Sequence, residues 1–182
     1  MSIVLATPLI TYAQEPEQPE GEEDLAEDYA KQGTLEAGGS VGASVTDNAA
    51  TVTASPRVGY FIADHIEISA ELTLAYSRVE DPETDITSST TSLAATVEPS
   101  YHQPLSDDLL LAGGVGVGVG YDGEHPDFEV IPRIGIDVVT SRSNVITPSV
   151  RMPILIGKSH GDDGEVGTDV GIAFDIGIKT TW

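Results

Sequence analysis

The sequence has no cysteine, which excludes a disulfide framework and any thiolate metal site. Basic residues are scarce: eight Lys and Arg stand against 30 Asp and Glu, for a formal net charge of −22. Phosphate binding needs a basic surface, so nucleic acid is not an expected partner. Aromatics make up only 5% of the chain, too few for a thick soluble core. No apolar run approaches the length of a transmembrane helix. That leaves a transmembrane barrel open, because its strands are short and apolar on one face only.

What the chain does have is glycine, 19 residues of it, with abundant Thr, Val and Ile, a composition suited to extended backbone. From Gly33 to Trp182 the pattern repeats every two residues. It is plainest at the end, where Val170, Ile172, Phe174, Ile176, Ile178, Thr180 and Trp182 alternate with Gly171, Ala173, Asp175, Gly177, Lys179 and Thr181. Successive strand side chains point to opposite faces, so such a segment has one greasy face and one small, polar face. Seven further segments read the same way, starting near Leu35, Val52, Ile66, Leu93, Leu109, Phe128 and Ile146. The expected class is all-β, an eight-stranded antiparallel up-and-down transmembrane β-barrel.

The connections support that reading. Those after the second, fourth and sixth strands are short. Those after the third, fifth and seventh are long and acidic, carrying Glu80, Asp81, Glu83 and Asp85, then Asp122, Glu124, Asp127 and Glu129, then Asp162, Asp163, Glu165 and Asp169. Residues 78–90 are read as one of these loops. Apart from the first connection on the loop side, which is short, short turns at one end and long loops at the other fit an outer-membrane barrel with both termini in the periplasm. Pro56, Pro99, Pro132, Pro148 and Pro153 fall inside strands and predict bulges or weak pairing points.

Upstream, residues 1–13 read as a signal-peptide-like segment with a cleavage point after Ala13, although the usual basic n-region is missing. That gap suggests a start site placed too far downstream, or a trimmed front. Residues 14–32 carry eight carboxylates and little to bury, and are expected to be a flexible acidic tail, with room for a short helix over 22–31. Residues 33–182 make the barrel.

The alternating segments, the stretch PRVGYFIADHIEISAELTLAY and the ending IGIKTTW resemble the small eight-stranded outer-membrane barrels of the OmpA and OmpX type. The resemblance covers residues 33–182 and lies in architecture more than in motif. It implies a bacterial outer-membrane address, contact with membrane lipids and lipopolysaccharide, and a monomeric barrel. It also implies that Phe174, Ile176, Ile178 and Trp182 form the terminal signal read by the barrel-insertion machinery. It carries over no catalytic residue and no cofactor.

With the apolar parity toward lipid, Arg57, Glu71, Glu98, Arg133, Asp137, Arg151, Asp175 and Lys179 face inward, four basic and four acidic. Lone charges at that depth are costly, but a paired set is not. The expectation is a salt-bridged polar lumen, with Gly38, Gly42 and Gly114 to Gly120 leaving room for the arginines. A narrow water path is the alternative. A soluble lipocalin-like barrel would invert the faces, lining a cavity with the large apolar groups.

Catalysis is not expected. His65 reads as a turn residue and His102 as an inward partner of Glu98. His125 and His160 sit in acidic loops without a calcium-loop spacing, so no metal site is expected. Ser159 and His160 are adjacent but form no hydrolase motif, which leaves a lipid-modifying enzyme at the outer rim as the third reading. The glycine run at 114–120 lacks the lysine and helix of a phosphate loop.

Overall fold

The computed structural model describes residues 25–45, 49–81, 86–157 and 166–182. A one-and-a-half-turn helix, α1 (Leu25–Tyr29), precedes β1 (Leu35–Val45), β2 (Ala49–Ala63), β3 (Ile66–Asp81), β4 (Ile86–Ser106), β5 (Leu109–Tyr121) and β6 (Pro126–Ser141). The seventh wall strand is split into β7 (Asn144–Arg151) and β8 (Ile154–Gly157), and the eighth into β9 (Gly167–Val170) and β10 (Ala173–Thr181). Every neighbouring pair runs antiparallel, and β5 pairs with β6 to close the ring as an eight-strand barrel.

The faces sort as a membrane wall requires. Val41, Val58, Leu72, Val97, Val117, Ile134, Phe174 and Ile178 all point outward and stay exposed, whereas the opposite parity is largely buried or half-buried. This is the reverse of a soluble ligand-binding barrel, which hides its large apolar groups inside. Outward Tyr60, Tyr101 and Trp182 lie toward the short-turn end, and Tyr76, Tyr121 and Phe128 toward the loop end. Tilted strands between these levels span roughly 20 Å, close to the apolar band of about 25 Å in such barrels.

Of the two expected effects of the strand prolines, Pro56 and Pro99 show weak pairing and not bulges. Around Pro56 and Pro99 the ladder loses pairs but keeps its register, with Ala54 opposite Leu74 and Arg57 opposite Glu71 on either side of the gap. The register shifts lie elsewhere, next to the short turns, at 61/63, 104/106 and 139/141. A missing N–H costs one bond; only an extra residue makes a bulge. Pro153 acts more strongly and splits the seventh strand. Met152 N donates to Pro132 O and Gly171 N to Pro153 O, and these two bonds bridge the break.

Two boundaries also differ. Most of the loop expected over 78–90 is strand, since β3 continues to Asp81 and β4 begins at Ile86. β4 pairs with β5 only from Leu93 onward, so its first turn-proximal residues, a run of Ser and Thr, form an open edge above the wall. Period two had assigned these polar residues to a loop because both faces are hydrophilic, which is what a hairpin standing in water allows. The short helix allowed over 22–31 is found as α1, but it is packed into the barrel and is not part of a flexible tail; residues 1–24 lie outside the described residues.

Candidate functional site

α1 stops the short-turn end of the barrel. Ala26 and Ala30, one turn apart, and Tyr29 face inward and are buried with Phe61, Leu110, Val139 and Val145. Alanine lets the helix backbone approach closely. Ala26 N donates to Asp107 O in the turn after β4, and His65 N in the turn after β2 donates to Ala30 O, at 2.8 and 2.7 Å. Gly33 ends the segment at φ +95°, a left-handed conformation that favours glycine. His65 itself adopts φ +65°, and its backbone carbonyl accepts from His102 N.

Above this stopper lies a layer of buried charge. Arg57 reaches Glu98 at 3.2 Å and Glu67 at 3.3 Å, with Glu36 at 3.8 Å. Arg133 reaches the same Glu98 oxygen, Oε1, at 2.6 Å. His102 is bonded through Nδ1 to Asp137 at 2.7 Å and through Nε2 to Glu67 at 2.9 Å. Both ring nitrogens face carboxylates, an arrangement satisfied when both carry a proton. Thr147 donates to Asp137, and Lys179 lies 3.4 Å from both Asp137 and Glu36. One step nearer the loops, Arg151 joins Glu71, Asp175 at 2.6 Å and the Ser40 hydroxyl at 2.9 Å.

All eight inward charges named from the sequence lie in this lumen. Three partners were not picked out: Glu36 and Glu67, which share the inward parity and were passed over there, and Tyr29, which the tail assignment concealed. The four basic residues therefore face six carboxylates, Glu36, Glu67, Glu71, Glu98, Asp137 and Asp175, and His102 lies between two of them. His102 does not pair with Glu98, whose carboxylate is taken by the two arginines. The glycines also make room for acids rather than for arginines. A Cβ at Gly114 would come within 2.8 Å of Glu98 Oε1, and Cβ atoms at Gly59, Gly42 and Gly120 would meet Glu67, Asp175 and Glu129.

Little space remains. The cavity bounded by Arg57, Glu71, Arg133, Arg151 and Lys179 has a volume of about 20 Å³, room for about one water. Outside the wall, the Asp122 carboxylate accepts from the His125 and Glu124 backbone N–H groups, which hold its carboxyl below the usual range. His125 is exposed in that turn. Ser159, His160 and the acidic residues 162–165 lie outside the described residues.

Tyr29 couples the stopper to the charge layer, with its O–H donating to Glu36 at 2.7 Å and accepting from Lys179 at 3.0 Å. Burial, and then the nearby carboxylates of Asp137, Glu36 and Glu67, push its phenol well above the ordinary value. A raised phenol pKa favours the neutral form in the folded state. The resulting stability is full below a pH of about 10, where the unfolded phenol is neutral, and is lost as pH rises toward the folded value. Unfolding midpoints measured between pH 8 and 11 should fall above pH 10 for the native chain. They should fall less for Tyr29→Phe, which starts lower by about 1–3 kcal/mol. Equal pH dependence in both would count against Tyr29 as the coupling.

No protein-family model matches this sequence, and no curated protein matches it. Solved structures do. The outer membrane protein OprG from Pseudomonas aeruginosa superposes with a TM-score of 0.61 at 11% identity, covering 85% of this chain and 98% of that one. Neisserial surface protein A superposes with a TM-score of 0.55 at 12% identity, covering 82% and 96%. The chain has the fold of a small outer-membrane β-barrel. At such low identity the likeness carries no side chain across, so the lumen of this barrel rests on its own geometry.

Proposed function

We propose that the protein is a monomeric barrel of the bacterial outer membrane that acts as a structural and surface-interaction element, with a sealed lumen and no enzymatic role. The observation that carries this reading is a barrel apolar on the outside and closed on the inside. α1 stops one end, and the ion-paired layer leaves about 20 Å³. In this reading both termini are periplasmic, and Phe174, Ile176, Ile178 and Trp182 engage the insertion machinery. The acidic loop end and the Ser- and Thr-rich edge of β4 face outward, where divalent cations bridge the carboxylates to lipopolysaccharide. An unpaired strand edge is also a place where an extended partner segment can add.

The test is conductance. Barrel inserted in planar bilayers, with insertion verified by heat-modifiable gel migration, should pass no steady current. Constant ion flow through the intact barrel would replace this reading with the narrow pore. The enzyme alternative predicts altered lipid A; mass spectra with and without expression should be the same.

A further inference from the structure

The loop-end mouth holds a second chamber above the charge layer. Its volume is about 180 Å³, and Thr73, Thr90, Ser92 and Gly120 line it together with Asp127 and Glu129 of β6. Both acids are inward and buried, at 7% and 8% exposure. The Glu129 carboxylate makes no hydrogen bond or ion pair with any described residue. It lies against Gly120 on the neighbouring strand, where any Cβ would collide with it. Arg151, the cation of the charge layer on its loop side, is committed to Glu71 and Asp175. A carboxylate buried without a counter-charge is expensive, so the arrangement is suited to a positive group supplied from outside.

The chemistry of the walls narrows the choice. Among the described residues no three acidic or histidine side chains converge as metal ligands. The other polar groups are hydroxyls, which accept hydrogen bonds from N–H donors, and Ala94 and Leu155 add an apolar strip. Asp122, on the outer lip, supplies another carboxylate. We propose that this chamber binds a small organic cation, an alkylammonium or short diamine. One ammonium would lie against Glu129, with the chain along Ala94 and Leu155.

The experiment is calorimetric titration of the full chain, folded in zwitterionic micelles, with 1,4-diaminobutane and separately with calcium chloride. Saturable one-site binding of the diamine is expected. Glu129→Gln should weaken it at least about tenfold, the scale of one charge-assisted contact. Ser92→Leu, which fills the chamber without removing a charge, should weaken it as well. Asp28→Asn, an exposed acid at the opposite end, should leave it unchanged. Heat-modifiable migration of each variant checks that it has folded. Absence of saturable binding, unaltered binding in Glu129→Gln and Ser92→Leu, or tighter binding of calcium lost in Glu129→Gln would each overturn the proposal.

Discussion

Arg57→Ala is expected to lower stability by about 3–5 kcal/mol, read as a shift in the denaturant midpoint of the barrel refolded into phospholipid vesicles. Arg57 is 7% exposed and lies among Glu36, Glu67 and Glu98. Removing the guanidinium leaves three carboxylates facing one another without the cation that lies between them. Their remaining neighbours compensate unevenly. Glu98 keeps Arg133, Glu67 keeps His102 and Glu36 keeps Lys179 and Tyr29. Arg57→Ala with Glu98→Ala should therefore cost less than the sum of the two single changes, because the pair removes a charge of each sign. A single-variant loss below about 1 kcal/mol would show that these contacts are no stronger than surface pairs.

Val117→Arg is expected to cost about 2–4 kcal/mol in the same vesicle experiment. Val117 faces outward at mid-wall, between Val97 and Val130 on the adjacent strands, and is 45% exposed. In water such an exposed change would be close to neutral, within about 0.5 kcal/mol. In lipid the guanidinium must reach a headgroup from the middle of the apolar band. The same substitution at Tyr121, near the rim, should cost about 1 kcal/mol or less, because charge is tolerated near the interface. Equal and negligible costs at both positions would mean that the outer face does not meet lipid.

Much of this barrel was readable because a strand has a strict two-residue period. Eight alternating segments separated by turn residues place every outward and inward side chain, and only a closed ring satisfies both edges of such a sheet. Hence the inward charges from Arg57 to Lys179 could be named before any coordinates. The pattern failed where it has nothing to sort. The upper parts of β3 and β4 are polar on both faces and read as loop, and the short helix over 22–31 gave no sign of packing, because its acidic tract offers little to bury.

Pairing could not be read either. The inward parity includes Glu36, Glu67 and His102, but parity gives a face and neither height nor azimuth around the barrel. Which carboxylate meets which cation depends on strand stagger, and the stagger brings Glu98 to Arg57 and Arg133 rather than to His102. By itself the sequence determined the class, the strand alternation and the sign of each face, because these follow from local periodicity. The tertiary structure decided the ion pairs, the stopper at one end and the acidic chamber at the other, because these arise only when residues far apart in the chain are brought together by closure of the ring.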